Sequence, residues 1–144
     1  MKPTLWLRIA SVLTFVHAVL HTAGGVFGTP APGAQQAAVA AMKANVFPIM
    51  GLTRSYWSFH MGLGLAVSIF LTVGAVVFWQ LGTLAKNNAP CLRPILATFL
   101  VGFGALALVS SLYFFAAPMI VEILIAACLA AAIMTSKPPK TATR

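Results

Sequence analysis

The chain has 144 residues, 60% of them hydrophobic and only 7% charged, with a formal net charge of +8. A soluble domain carries roughly 25% charged residues, so this chain cannot cover a water-facing surface and is expected to dissolve in lipid. Nine Lys or Arg stand against a single acid, Glu122, and the cations sit near the ends of apolar runs rather than on a patch interleaved with aromatics. That distribution predicts membrane lipids as partners and argues against nucleic acid.

A span needs about 20 apolar residues at 1.5 Å of rise each. The first run long enough extends from about Leu5 to Phe27. It reads as a retained helix rather than a signal peptide, because it is long, His17 and His21 interrupt it, and no A-x-A site follows at the right distance. The connection over 28–53 opens with the turn material "GTPAPGAQQ" and continues through "GAQQAAVAAMKAN", an alanine-rich short helix, to "VFPIMG". It reads as an amphipathic segment resting on the outer interface in preference to a lid. The second span covers about 56–82, the third 94–115 and the fourth 118–135. Pro94 and Pro118 suit the first turn of a helix, where a missing N–H costs nothing. Residues 136–144 form a basic tail.

With four spans, both termini share a face. Lys2, Arg8, Lys86, Arg93, Lys137, Lys140 and Arg144 fall on that face, against Lys43 and Arg54 on the other. The excess places both termini in the cytoplasm. The expected fold is therefore all-α: an antiparallel bundle of four transmembrane helices, with a long extracytoplasmic first loop carrying a short surface helix.

Within the second span, His60, Gly64, Ser68 and Thr72 recur every four residues and share one helical stripe. Small residues at that spacing admit another helix closely, so the stripe is expected to face protein. The first span shows a comparable face through Thr14, His17, His21, Gly24 and Gly28, and the fourth through Glu122, Ala126 and Ala130. The third offers Gly102, Gly104, Ser110, Ser111 and Tyr113. Counting rise from the interfaces puts His21 roughly 24 Å and His17 roughly 18 Å above the inner surface, and His60 and Glu122 about 6 Å below the outer one. His21, His60 and Glu122 are thus expected at one level, with Tyr113 close by and Arg54, Tyr56 and Trp57 just above.

Ionisable groups at membrane depth are costly and usually find partners inside. Three kinds of role suit this set. A purely structural one pairs His60 with Glu122, or Arg54 with Glu122, and fixes helix register. A pocket lined by His17, His21, Arg54, Tyr56, Trp57, Phe59, His60, Tyr113 and Glu122, with room left by Gly24, Gly25, Gly62 and Gly64, would orient a lipid-like or quinone-like ligand. A redox or metal role would use His21, His60 and Glu122 as a two-histidine, one-carboxylate set for a transition metal, or pair histidines across haem b. "HAVLH" lacks the acid of an H-E-x-x-H motif. Trp6, Trp57 and Trp79 read as interface anchors and Arg8 as a snorkelling cation. Cys91 and Cys128 read as inert thiols. No G-x-S-x-G, phosphate loop or carboxylate pair is present, which excludes conventional hydrolases and kinases.

At "HAVLHTAGG", "GLTRSYW" and "LRPILATFLV" the chain resembles a family of small, uncharacterised bacterial four-span membrane proteins. The resemblance covers most of the chain. It implies the four-span fold and a bacterial cytoplasmic (inner) membrane, and carries no activity. It also implies an acid and a tyrosine at the positions of Ser58 and His60, which would make His60 no family-wide ligand. The function expected is a non-enzymatic accessory or ligand-binding subunit with a polar pocket in the outer half of the bundle, working within a homo-oligomer or a larger membrane complex. The alternative is a redox or metal- or haem-binding membrane protein.

Overall fold

The computed structural model describes residues 2–136. Lys137, Lys140 and Arg144 of the expected tail lie outside the described residues. Helix α1 (Pro3–Leu20) runs on into a π-helical segment, His21–Val26. Helix α2 (Ala34–Ala44) follows, then a hairpin of β1 (Val46–Ile49) and β2 (Leu52–Ser55). Helix α3 (Tyr56–Asn88), a 3-10 turn (Ala89–Leu92), α4 (Arg93–Tyr113) and α5 (Ala116–Thr135) complete the described chain.

Three helical runs, Pro3–Val26, Tyr56–Tyr113 and Ala116–Thr135, are long and apolar enough to cross a membrane. The middle run has 58 residues. As a straight rod it would reach about 87 Å, nearly three times the hydrocarbon core. It is not straight. The Phe78 ring lies 4.9 Å from that of Phe99 and 5.8 Å from that of Phe103, whereas residues 21 apart on one helix would be about 32 Å apart. The chain therefore doubles back at Ala89–Leu92, where Pro90 and then Pro94 withhold the N–H groups that a continuing helix needs.

The chain divides into two compact units, and the division cuts α1 after His17 and α3 before Leu71. In the unit that holds α4 and α5, the largest fully buried side chains are Leu7, Thr14, Phe78, Leu96, Ile125 and Leu129. They come from α1, α3, α4 and α5. The Ser11 hydroxyl donates to the Ala75 carbonyl at 2.7 Å, and Arg8 donates to Thr83 Oγ1 at 2.8 Å. The Arg8 guanidinium carbon also sits 3.5 Å from the centre of the Trp79 ring. Arg8 is therefore docked on an aromatic face, a stronger arrangement than the free snorkelling expected from sequence. Outside this core the helices present apolar side chains such as Val101, Leu108 and Leu112 on α4, as a lipid-solvated surface requires.

The other unit, Ala18–Phe70, contains the features that depart most from expectation. The last part of the first span is π-helical, its ladder slipping to i→i−5 bonds such as Phe27 N to Thr22 O at 3.0 Å. Two causes are local. Gly24 and Gly25 have no side chains to hold the α register, and the Thr22 hydroxyl occupies the Ala18 carbonyl at 2.7 Å. The all-helical expectation is also corrected by the hairpin. Its two-residue turn, Met50–Gly51, has φ of 48° and 80°, the pair of positive values that matches strand twist. Pro48 pairs with Thr53, one step from the turn, where a missing N–H takes nothing from the ladder.

The boundaries differ too. Helix α3 continues to Asn88, six residues past the expected end at 82. Gly82 does not stop it, because its small face lies against the Arg8 and Leu7 side chains and helix formers such as Leu84, Ala85 and Lys86 follow. Helix α4 starts at Arg93 and ends at Tyr113, and α5 starts at Ala116.

Candidate functional site

The start of α3 is built by local chemistry. Ser55 is its N-cap: the Ser58 N–H donates to Ser55 Oγ at 3.2 Å, and the Ser55 N–H donates to Ser58 Oγ at 3.4 Å. This reciprocal pair is a capping box with serine at the third helical position. Phe47 of β1 packs on the helix it precedes, 5.1 Å from the Tyr56 ring and 5.8 Å from that of Phe59. The hairpin is thereby fixed against the first turns of α3. Lys43 of α2 lies 4.9 Å from the centre of the Trp57 ring, which holds the surface helix to the same place.

An open cleft of about 250 Å³ lies beside this junction, lined by Arg54, Ser58, Phe59, Gly62 and Leu63. Arg54 comes from the end of β2, and the other four from successive faces of the first two turns of α3. Its lining joins a guanidinium and a hydroxyl to an aromatic ring and an aliphatic side chain, and Gly62 and Leu63 lie one turn further along α3 than Ser58 and Phe59. Arg54 Nη1 donates to the Thr53 carbonyl at 3.0 Å, which ties one tip of the guanidinium fork and leaves Nη2 and Nε to a ligand. A Cβ placed on Gly62 would meet nothing within 4 Å, so the glycine leaves open space there.

A second polar group lies in the same unit, between the π-helical segment and α3. The His21 Nε2 is 3.2 Å from the Gly64 carbonyl oxygen. A carbonyl only accepts, so Nε2 carries the proton and donates. Ser68 Oγ donates to the same oxygen at 3.1 Å, and the Thr22 and Ser68 hydroxyls are bonded at 2.8 Å. Gly64 itself packs against Val26. Gly64 and Ser68 of the expected four-residue stripe therefore do meet another helix.

The remaining expected residues are placed as follows. The His60 ring is exposed and lies 5.1 Å from that of Trp57, tilted at 31°. Tyr56 is exposed. In the other unit, His17 is buried in α1, and Tyr113 ends α4 at 76% exposure. Glu122 on α5 is 5% exposed, with the Ser110 side chain of α4 as its hydrogen-bond partner. Its Oε2 is buried and has no partner among the described residues. Among the described residues no group of three or more His, Cys, Asp or Glu side chains could hold a metal ion. The set His21, His60 and Glu122 therefore gains no metal geometry, and the Nε2 of His21 is already committed to a carbonyl.

Arg54, Phe59 and Gly62 were expected at a pocket and do line the cleft, whereas Ser58 and Leu63 were not among the residues that sequence reasoning selected. The signal available was the Ser55-x-x-Ser58 cap, which fixes where α3 begins and hence which faces flank Arg54. Ser110 was placed on the polar face of the third span, but not paired with Glu122. No family model, no curated protein and no solved structure matches this chain.

Proposed function

We propose that this chain is an antiparallel four-helix membrane bundle of the bacterial cytoplasmic membrane, with both termini cytoplasmic, acting as a non-enzymatic accessory or ligand-binding subunit. The observation that carries the reading is the cleft at Arg54, whose lining combines polar Arg54 and Ser58 with apolar Phe59, Gly62 and Leu63. It lies at the start of a helix long and apolar enough to span a bilayer. A binding site needs shape and a few placed polar groups, and the cleft has both. The orientation rests on the excess of Lys and Arg on the terminus side.

Two measurements test this. Gly62→Phe should fill the cleft while leaving the helix intact, since nothing surrounds that position. Small amphiphiles that co-purify with the wild-type protein should be depleted in the variant at an unchanged melting temperature. Equal recovery would remove the cleft as a binding site. For orientation, Cys91 is exposed in the turn between α3 and α4, while Cys128 is buried. A membrane-impermeant maleimide should label Cys91 in inverted vesicles and not in right-side-out cells; the opposite pattern would reverse the topology. A Soret band or stoichiometric metal in the purified protein would replace this reading with the redox alternative.

A further inference from the structure

Resting on the ligand-binding reading above, we infer that the Arg54 cleft is a site for an anionic phospholipid, its phosphate on Arg54 and Ser58 and one acyl chain along Phe59, Gly62 and Leu63. Charge comes first. Residues 18–70 contain Lys43 and Arg54 and no Asp or Glu. Lys43 is placed over the Trp57 ring, whereas Arg54 forms a wall of the cleft. The fork of Arg54 thus meets no carboxylate in its own unit, and an anion on it has to come from outside that unit. Planar guanidinium groups bind phosphate oxygens through paired N–H donors. The Ser58 hydroxyl on the same wall supplies one more donor with Ser55 Oγ, 3.1 Å away, giving the proton of their mutual hydrogen bond.

The gradient of the cleft comes second. Gly62 and Leu63 lie about 10 Å along α3 from Tyr56. The headgroup layer on one side of a bilayer is roughly 5–8 Å thick. A ligand running from Arg54 to Leu63 therefore passes from headgroup depth into hydrocarbon, as a phospholipid does and a soluble phosphate does not. Volume comes third. About 250 Å³ is below the roughly 300–1,000 Å³ that encloses a drug-sized molecule. It holds a phosphate, a glycerol and the first acyl carbons, with the rest of the chain in the bilayer. Leu63 and Phe59 are both open to that surrounding.

The test uses the full chain in detergent micelles, with bound lipid counted by native mass spectrometry. Dioleoyl phosphatidylglycerol should be retained about tenfold better than dioleoyl phosphatidylcholine. Arg54→Gln should abolish that preference, and Lys43→Gln should leave it within about twofold. Both side chains are exposed, and melting curves in phosphatidylcholine alone should be unchanged by either substitution. Soluble sn-glycerol 3-phosphate at equal concentration should not displace the lipid. Equal retention of the two lipids, an equal loss in the two variants, or displacement by glycerol phosphate would each overturn the assignment. The first would indicate no headgroup selection, the second diffuse attraction, and the third a headgroup-only anion site. The Gly62→Phe comparison is independent: if it depletes bound amphiphile while Arg54→Gln changes nothing, the cleft still binds a ligand but not through an anionic head.

Discussion

Gly64→Leu should destabilise the protein by about 1–3 kcal/mol, at the upper end of that range for an overpacked contact. The reason is specific to this glycine. A Cβ built there would lie 2.9 Å from Val26 Cγ2, and leucine adds further carbons beyond it. Valine is stiff at χ1 and has little freedom to turn aside. The Gly64 carbonyl also accepts from His21, so pushing α3 away loosens that part-buried hydrogen bond as well, while the Ser68 bond to the same oxygen lies within α3 and moves with it. Gly62→Leu, half a turn earlier, is the control: nothing lies within 4 Å of its Cβ, and the cost should stay within about 0.5 kcal/mol. Val26→Ala combined with Gly64→Leu should recover part of the loss, giving non-additivity of about 0.5–3 kcal/mol in detergent melting. If Gly64→Leu instead leaves stability untouched and changes the oligomeric state, this face packs on a second copy rather than on Val26.

Glu122→Met should stabilise the protein by about 1–3 kcal/mol, the usual cost of a buried polar group left without a partner. Glu122 is 5% exposed, and its Oε2 has no partner among the described residues. Methionine fills a similar volume with flexible apolar atoms. Removing the carboxyl strands Ser110, but a helical serine has a substitute acceptor in its own backbone. The same chain shows the habit repeatedly: Thr14 donates to Ala10, Thr98 to Pro94, and Ser136 to Ala132. Ser110 is placed to turn back onto the Leu106 carbonyl in the same way. The measurement is thermal unfolding of Glu122→Met against wild type and Glu122→Gln. A methionine variant less stable than wild type would mean that the carboxyl is satisfied by a bound proton, ion or partner that the packing alone does not supply.

Much of the helical architecture was legible because hydropathy is a long-range, averaged signal that survives errors of a few residues. The crossing helices are found where "PILATFLVGFG" and "VEILIAACLAAA" read as apolar. Features governed by single backbone angles were not legible. The second span was expected to end near Gly82, whereas the helix continues to Asn88 and the glycine admits Arg8. The hairpin was missed because its turn uses Met50 at φ 48°, where asparagine or glycine would announce such a turn, and because Pro48 argues against a strand. The π-helical segment has the same composition as an α-helix would, and only the Gly24–Gly25 pair hints at it. At the site, attention to titratable groups selected the stripe through His60 and Gly64. The cleft lies on the neighbouring faces, where Phe59 and Gly62 were legible as an aromatic wall and open space, but Ser58 and Leu63 are unremarkable until Arg54 stands beside them.

The widened turn from His21 to Val26 has one more consequence. Each such turn uses about one residue more than the α-turn it replaces. The chain therefore holds a spare residue in a span that otherwise has none. Deleting Gly24 or Gly25 would let the ladder close into an uninterrupted helix, a loss that most transmembrane segments could not absorb so quietly. A deletion in a regular α-helix turns everything after it by about 100°, whereas here closing the wide turn takes up most of that rotation and leaves Val26 near its seat on Gly64. The shortened span should therefore keep the contact that makes Gly64→Leu costly.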